Sequence, residues 1–366
     1  MIPLLRCIQR RDLSTALARV RRKHKAAIVI GFYGGNYSGM QTNDLKSSIE
    51  DKLIGVLYEL GKIGFSNVSR PAKFDWERCS RTDKGVSAVK IVVSGKFLDY
   101  DDEFLPSFRN LRAVEMLNAR LPRDIRVFSY TRVSNGFNPH LNSYSRIYSY
   151  YLPLSTLSHV GICIDTKQLE SSLRLFQGTH YMKNYTGSIR HRNKNLRQFY
   201  LRTIYSIHTT PITLNNQSLL RIQLKGNSFL YHQIRKMVGA AVAVACGSWS
   251  RAYLAASFDA ESVQVPLAPS TPLVLDSVAF RADKNVFLNK QELAATVLSG
   301  RKRRNLNPNR TYDHILLLDD QENREAETFF RQFTLPRIME DIEKDVDGID
   351  RFYKSLHLGL RYDVMK

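Results

Sequence analysis

The apolar positions of this chain follow two periods, and their order predicts its elements. Residues 26–33 form an unbroken run rich in β-branched side chains that ends in glycines, as a buried strand entering a turn would. Ile49, Leu53, Leu57 and Leu60 then recur at helical spacing; Ser47 and Glu50 stand at capping-box distance ahead of them, and Gly61 follows as a stop. Residues 88–97 read as a strand, 105–121 as a helix closed by Pro122, and 125–133 as another strand, which gives a β-α-β-α-β order. Residues 144–152 alternate and carry Tyr144, Tyr148, Tyr150 and Tyr151, predicting a strand with an aromatic face.

The second half is built likewise, with a helix around 167–176, strands around 201–208 and 219–225, and a helix from about 229 to 246. Strands and helices mix without strict alternation. That predicts an α+β architecture whose helices cover one face of a largely antiparallel sheet, leaving the other face open as a cleft. Beyond residue 281 come a basic run at 301–304, a turn-rich stretch at 305–309 and a charged helical pattern from Asp319 onward, read as a peripheral helical extension over 282–366. The remainder divides into a leader (1–25) and two halves of one main domain (26–153 and 154–281).

Charge sets the class of partner. Against 34 acidic residues stand 54 Lys and Arg, a formal net charge of +20 that points to a polyanion. No apolar run reaches the roughly 18 residues of a membrane-spanning helix, the longest being 238–246, so nucleic acid is favoured over a membrane. Cys7, Cys79, Cys163 and Cys246 form no C-x-x-C pair, and the nine histidines are scattered, so neither a disulfide framework nor a metal centre is indicated. Gly31, Gly34 and Gly35 lack the GK[ST] of a phosphate loop. The leader has eight Lys and Arg against the single acid Asp12, with a loose stripe of Leu and Ile. It fits a mitochondrial transit peptide, with a basic RNA-binding arm or a nuclear signal as alternatives.

Chemistry concentrates in the segment RCSRTDKGVSA at 78–88. Asp83 sits there between Thr82 and Lys84, just before Gly85 and a strand, on the kind of loop at a sheet end that often carries active-site groups. By itself such an aspartate is more often a turn former. Tyr148 is a core strand tyrosine or a functional one. Arg235 lies off the apolar stripe of Leu230, Ile234, Met237 and Ala241, facing either a cleft or open water.

Six segments in order resemble the pseudouridine synthase family whose bacterial member is TruA. They are GFYGGNYSGMQTN (31–43), RCSRTDKGVSA (78–88), LNARLPRDIRV (117–127), FNPHLNSYSRIYSYYLP (137–153), FQGTHYMKNYT (176–186) and KGNSFLYHQIRKMVG (225–239). Met40 in GMQ and the RTDKGVSA form resemble the family's eukaryotic multisite branch. The resemblance implies a pseudouridine synthase fold, in which two α+β halves join into one long antiparallel sheet crossed by a basic RNA cleft. It puts Asp83 at the catalytic carboxylate, Arg81 at the arginine that helps displace the target base, Tyr148 at the active-site tyrosine and Arg235 at the partner of the aspartate. Thr82 and His232 fall beside these groups as substrate-binding residues, and His180 and Asn184 resemble a loop that lines the cleft. Ser87, where bacterial relatives carry His, the run Val89, Lys90 and Ile91, and Tyr144 depart from the family pattern.

The implied reaction breaks the N1–C1′ bond of uridine, turns the uracil and joins C5 to C1′, with no redox change and no group lost, so no cofactor is required. An ionised carboxylate serves as nucleophile at the sugar or as base on a ribose proton. An adjacent arginine is expected to lower the pKa of the aspartate, offsetting burial. The target base must be extruded from folded RNA, and Tyr148 is a flat surface on which it could stack. Arg190, Arg192 and Lys194, with His191 and Arg197, hold too many like charges to pack internally and read as phosphate contacts. The expected partner is tRNA, with mRNA and other RNAs open, in a monomer located in mitochondria, the nucleus or both. Two other readings compete: an RNA-binding protein that keeps the fold without catalysis, and a carboxylate phosphohydrolase, which would need a second acid or a metal cluster that the sequence does not place beside Asp83.

Overall fold

The computed structural model describes residues 20–43, 47–104, 109–159, 161–187, 197–214, 217–259, 262–280 and 318–357. The expectations for residues 1–19, 301–304 and 305–309 lie outside the described residues.

The N-terminal elements are β1 (Arg22–Phe32), α1 (Ile49–Glu59), β2 (Glu77–Arg78), β3 (Ser87–Asp99), α2 (Leu111–Asn118), β4 (Ile125–Arg132) and β5 (Ser143–Pro153). After them come α3 (Thr166–Arg174), β6 (Gly178–Tyr181), β7 (Leu201–Leu214), β8 (Gln217–Gly226), α4 (Gln233–Ala245) and β9 (Leu273–Phe280). Three further helices, α5 (Asp320–Phe329), α6 (Leu335–Lys344) and α7 (Val346–His357), follow near the C-terminus.

Local chemistry shifts some of these bounds. The capping box of α1 is Ser48 with Asp51, one residue beyond the expected pair: Asp51 N–H donates to Ser48 Oγ at 3.1 Å and Ser48 N–H returns to Asp51 Oδ2 at 3.0 Å. Glu50 is instead buried, accepting from Trp76 Nε1 at 2.8 Å and pairing with Arg78. Helix α2 covers only part of the 105–121 expectation because Asn110 caps it, its side chain accepting from Ala113 N–H. Helix α4 starts at Gln233 rather than near 229 because His232 adopts a left-handed backbone, which a helix cannot include.

Among the described residues nine strands form one sheet in the order β4-β1-β3-β9-β5-β8-β7-β6, with β2 paired to β3 off this path. Every pairing is antiparallel except β3 with β9, which is parallel through Ser87↔Val274 and Ala88↔Leu275. The sheet is thus largely antiparallel and the architecture α+β, as the sequence predicts. Although the sequence groups β5 with the first half, it pairs with β8 and β9. Because β3 and β9 run parallel, the loops that precede both strands arrive at the same end of the sheet. That end carries the site.

One face of the sheet packs the main core, in which Ile28, Ile30 and Val127 meet Leu53 and Leu57 of α1, and Ile222 shares the cluster with Met237 and Val238 of α4. Neighbouring residues of a strand must face opposite ways, and they do: Tyr150 and Leu275 lie in this core, Tyr151 and Val274 in a second one. There Tyr33, Val89, Tyr151, Leu219 and Val274 meet Phe330, Leu335, Ile338, Met339 and Ile342. The C-terminal helices are therefore not peripheral. They cover part of the face expected to stay open, because that face is apolar at these positions and burying each such side chain contributes about 1.5–3 kcal/mol.

Candidate active site

Asp83 is carried on a tight turn. Its carbonyl accepts from Val86 N–H at 3.1 Å, and Gly85 takes φ +81 at the third position, where a type II turn requires a positive φ. The glycines of segment 31–43 back this turn. A Cβ on Gly34 would overlap the Val86 carbonyl, and Gly39, at φ +114, leaves 2.9 Å between its own Cβ position and the Thr82 carbonyl oxygen. Gly34 N–H donates to Ser87 Oγ at 2.9 Å and Met40 N–H to Thr82 O at 3.2 Å. The two segments form one joint, which explains why a serine serves at 87. Gly34→Ala should force the turn away from β1, lowering stability by about 1–3 kcal/mol; a thermal melt matching that of the wild type would contradict this packing.

Facing the turn is the first turn of α4. Arg235 Nη1 stands 3.7 Å from Asp83 Oδ2, while its Nε donates to Ala268 O at 2.7 Å, so Arg235 faces the cleft rather than open water. His232 Nε2 lies 3.6 Å from the same carboxylate oxygen. Burial pushes the His232 imidazole down to about 4, with the charges of Arg235 and Lys236 adding to the effect, so at neutral pH it meets Asp83 uncharged. Burial also raises the Asp83 carboxyl above its usual value, and Arg235 pulls it back only in part. The sequence predicts an arginine that offsets burial; at 3.7 Å, without a bidentate contact, it does not.

The pocket around Asp83 is lined by Lys84, Tyr231 and Arg235 together with Asp341, Lys344 and Asp345 at the end of α6. Charges of both signs meet at its mouth. Tyr33 links the C-terminal wall to the sheet through a hydrogen bond from its hydroxyl to Asp341. Tyr148, on β5 between Leu224 and Leu275, shares a 2.8 Å hydrogen bond with Ser80 Oγ and packs its ring against Phe229. It is 6% exposed, and burial pushes its hydroxyl up to about 12, so the phenol is neutral and its ring has no open face in this conformation. The expected stacking of a flipped base on Tyr148 needs the ring to be uncovered first.

Residues 173–281 match the family described as tRNA pseudouridine synthase. The chain is 34% identical over 272 residues to a mouse Pseudouridylate synthase 1 homolog, covering 70% of this chain and 61% of that protein. It is 32% identical over 275 residues to the human homolog, covering 72% of this chain and 61% of that one. To the tRNA pseudouridine synthase A of Methanococcoides burtonii it is 27% identical over 246 residues, 67% of this chain and 78% of that protein. The chain is thus similar to tRNA pseudouridine synthases over residues 173–281 and to pseudouridylate synthase 1 homologs over about seven tenths of its length. It spans about three fifths of the length of the mouse and human relatives.

The region matched by the family holds His232 and Arg235, while Asp83 and Tyr148 precede it. Arg81 is exposed beside Asp83, and Thr82 is buried with its hydroxyl unpartnered among the described residues. His180 and Asn184 do not line the Asp83 pocket. His180 binds Gln177 O at 2.8 Å and stacks on Phe258, and the buried Asn184 amide bridges Ser257 O at 2.9 Å and Val263 N–H at 3.2 Å. Both brace their loop. Arg190, Arg192 and Lys194 lie outside the described residues.

Sequence reasoning missed Arg146. Its buried guanidinium donates to Cys79 O at 2.8 Å, Asn227 O at 2.9 Å and Ser143 Oγ at 2.7 Å, tying the segment before the Asp83 turn to β5 and the end of β8. A lone charged residue in a strand otherwise made of serine, aromatic and apolar residues is the available signal, because such a charge is kept only where its donors are used.

Proposed function

We propose that this protein isomerises uridine to pseudouridine in tRNA, at several positions around the anticodon stem-loop and also in other RNAs, with Asp83 as the catalytic carboxylate. The observation that carries this reading is the Asp83 turn itself, set in an open pocket with Arg235 Nη1 at 3.7 Å and the neutral His232 at 3.6 Å. The carboxylate attacks C1′ or takes a ribose proton; Arg235 opposes in part the burial that favours its protonated form; Arg81, exposed beside it, displaces the target base. Tyr148, neutral and hydrogen-bonded to Ser80, supports the extruded base once its ring is uncovered. Two halves, 26–153 and 154–281, make up the catalytic domain, and the protein acts as a monomer.

The test is direct. An unmodified tRNA transcript is incubated with the full chain and its pseudouridine is mapped, alongside a map of cellular and organellar RNA with and without the protein. Product absent from both, with RNA binding intact, would identify instead an RNA-binding protein that has kept the fold without the chemistry.

Binding should weaken steeply with salt, since log K falls by about 0.7–0.9 per neutralised phosphate for each decade of salt. Replacing Arg190, Arg192 and Lys194 together with Gln should flatten that slope and leave the chemical step of the bound enzyme unchanged. A constant affinity from low to physiological salt would show that the net charge of +20 serves another purpose.

The leader is assigned to import into mitochondria, with a nuclear location as the other compartment. Fused to a reporter, residues 1–25 should carry it to mitochondria. A reporter left in the cytosol would end this assignment.

A further inference from the structure

The pocket contains one open aromatic face that the chemistry at Asp83 does not use. Tyr231 is 53% exposed, its hydroxyl makes no hydrogen bond among the described residues, and it lines the pocket beside Asp83. An exposed aromatic alone means little. Tyr231, however, is one tier of a stack: its ring lies 3.7 Å from that of His232, centroid to centroid, at an interplanar angle of 26°.

Three features hold this stack in position. His232 takes φ +66, a conformation disfavoured for any residue with a Cβ and one that persists only where the surroundings enforce it. Gly187 donates its N–H to Tyr231 O at 3.0 Å, and a Cβ there would overlap the His232 ring and stand 3.1 Å from Tyr231 Cδ1. Lys236 Nζ donates to Asn184 O at 3.0 Å and Thr186 O at 3.2 Å, which anchors the segment before Gly187 to α4. Strain, a glycine notch and a lysine tether all serve to present one ring face to the pocket.

We propose that Tyr231, backed by His232, is a stacking platform for an unpaired nucleobase of the RNA next to the target uridine. Extruding the target removes a stacking partner from its neighbour, and an aromatic plane replaces that partner without regard to base identity. The base held is not the target. Asp83 is met by the edge of His232, at Nε2, whereas Tyr231 covers that ring's face, so a base on Tyr231 is offset from the carboxylate and belongs to another nucleotide. Tolerance of base identity suits an enzyme acting at several sequences, so the inference rests on the synthase reading above.

The experiment uses the full chain and an unmodified anticodon stem-loop with 2-aminopurine immediately 5′ or 3′ of the target uridine. Wild type and Tyr231→Phe should quench the probe at one of these positions on binding. Tyr231→Ala should lose the quench and raise KM about ten-fold, the loss expected for one base stack, with kcat nearly unchanged. Gly187→Ala, which leaves Tyr231 in the chain but displaces the stack, should lose it too. Tyr231→Leu keeps an apolar side chain against folding defects and should behave like Tyr231→Ala. No quenching at either position, or wild-type quenching and KM in Tyr231→Ala, overturns the platform even while pseudouridine is being made. Quenching by a wild-type protein that makes no pseudouridine upholds the platform and overturns the synthase reading instead.

Discussion

Asp83→Asn is expected to fold, bind RNA and form no detectable pseudouridine, a loss of more than about 10³-fold in the single-turnover rate, as when a covalent nucleophile is removed. Asparagine fills nearly the same space on the turn closed by Val86 and Gly85, so the joint with Gly34 and Gly39 is kept. It cannot attack C1′ or take a proton. Folding should not suffer. Burial raises the folded-state pKa of Asp83, so the native protein holds this proton more tightly than the unfolded chain does. Stability attached to the group is therefore lost as pH rises through the raised value, and the ionised carboxylate is a cost at neutral pH. The amide removes that cost, and calorimetry at pH 7 should place the unfolding of Asp83→Asn at or above the wild-type temperature. Appreciable product from this variant would remove Asp83 from the chemistry.

Arg235→Met should reduce the rate at neutral pH by about 10²-fold, the scale on which one preorganised charge acts in a pocket, and should move the acid limb of the pH–rate profile upward. The sign follows from the carboxylate: only its ionised form is active, burial already favours the protonated form, and Arg235 is the largest influence opposing that. Without it the carboxyl protonates at higher pH, so the variant should regain part of its rate as the solution is made more alkaline. Arg235→Lys keeps the charge but loses the Nε hydrogen bond to Ala268 O that aims the guanidinium, and should fall between the two. Coincident acid limbs in wild type and Arg235→Met would show that this arginine does not govern the ionisation of Asp83.

Much of this molecule is legible in its sequence. Periodicity identifies six of the nine strands and the longer helices, because each buries a continuous apolar face, but it misses β2, β6 and β9; the glycines around Asp83 mark positions where the backbone comes too close for a side chain. Helix bounds shift for local reasons, at the Asn110 cap and the left-handed His232; the other misreadings concern contacts between segments distant in the chain. Glu50 has the spacing of a cap but is consumed by Trp76 and Arg78, and Asn184 has the place of a cleft residue but bridges Ser257 and Val263. The C-terminal helices read as peripheral because their own pattern is amphipathic and does not say which surface they cover. Only the strand residues facing the second core, such as Val89, Tyr151 and Val274, specify it. Tyr148 lies on a strand as its alternation predicts, but periodicity carries no information on whether an aromatic ring is open or enclosed.

The parallel pairing of β3 with β9 also orders the assembly of the site as the chain is made. Ser87, at the end of the Asp83 turn, is held against Val274, and the pocket walls come from Arg235, Ser270 and Asp341, all emerging from the ribosome long after Asp83 itself. Contacts this distant in sequence close late and slowly. A nascent chain halted before β9 has the aspartate but neither its partner strand nor a finished pocket. The pocket is therefore complete only when β9 and α6, both made after Asp83, are in place.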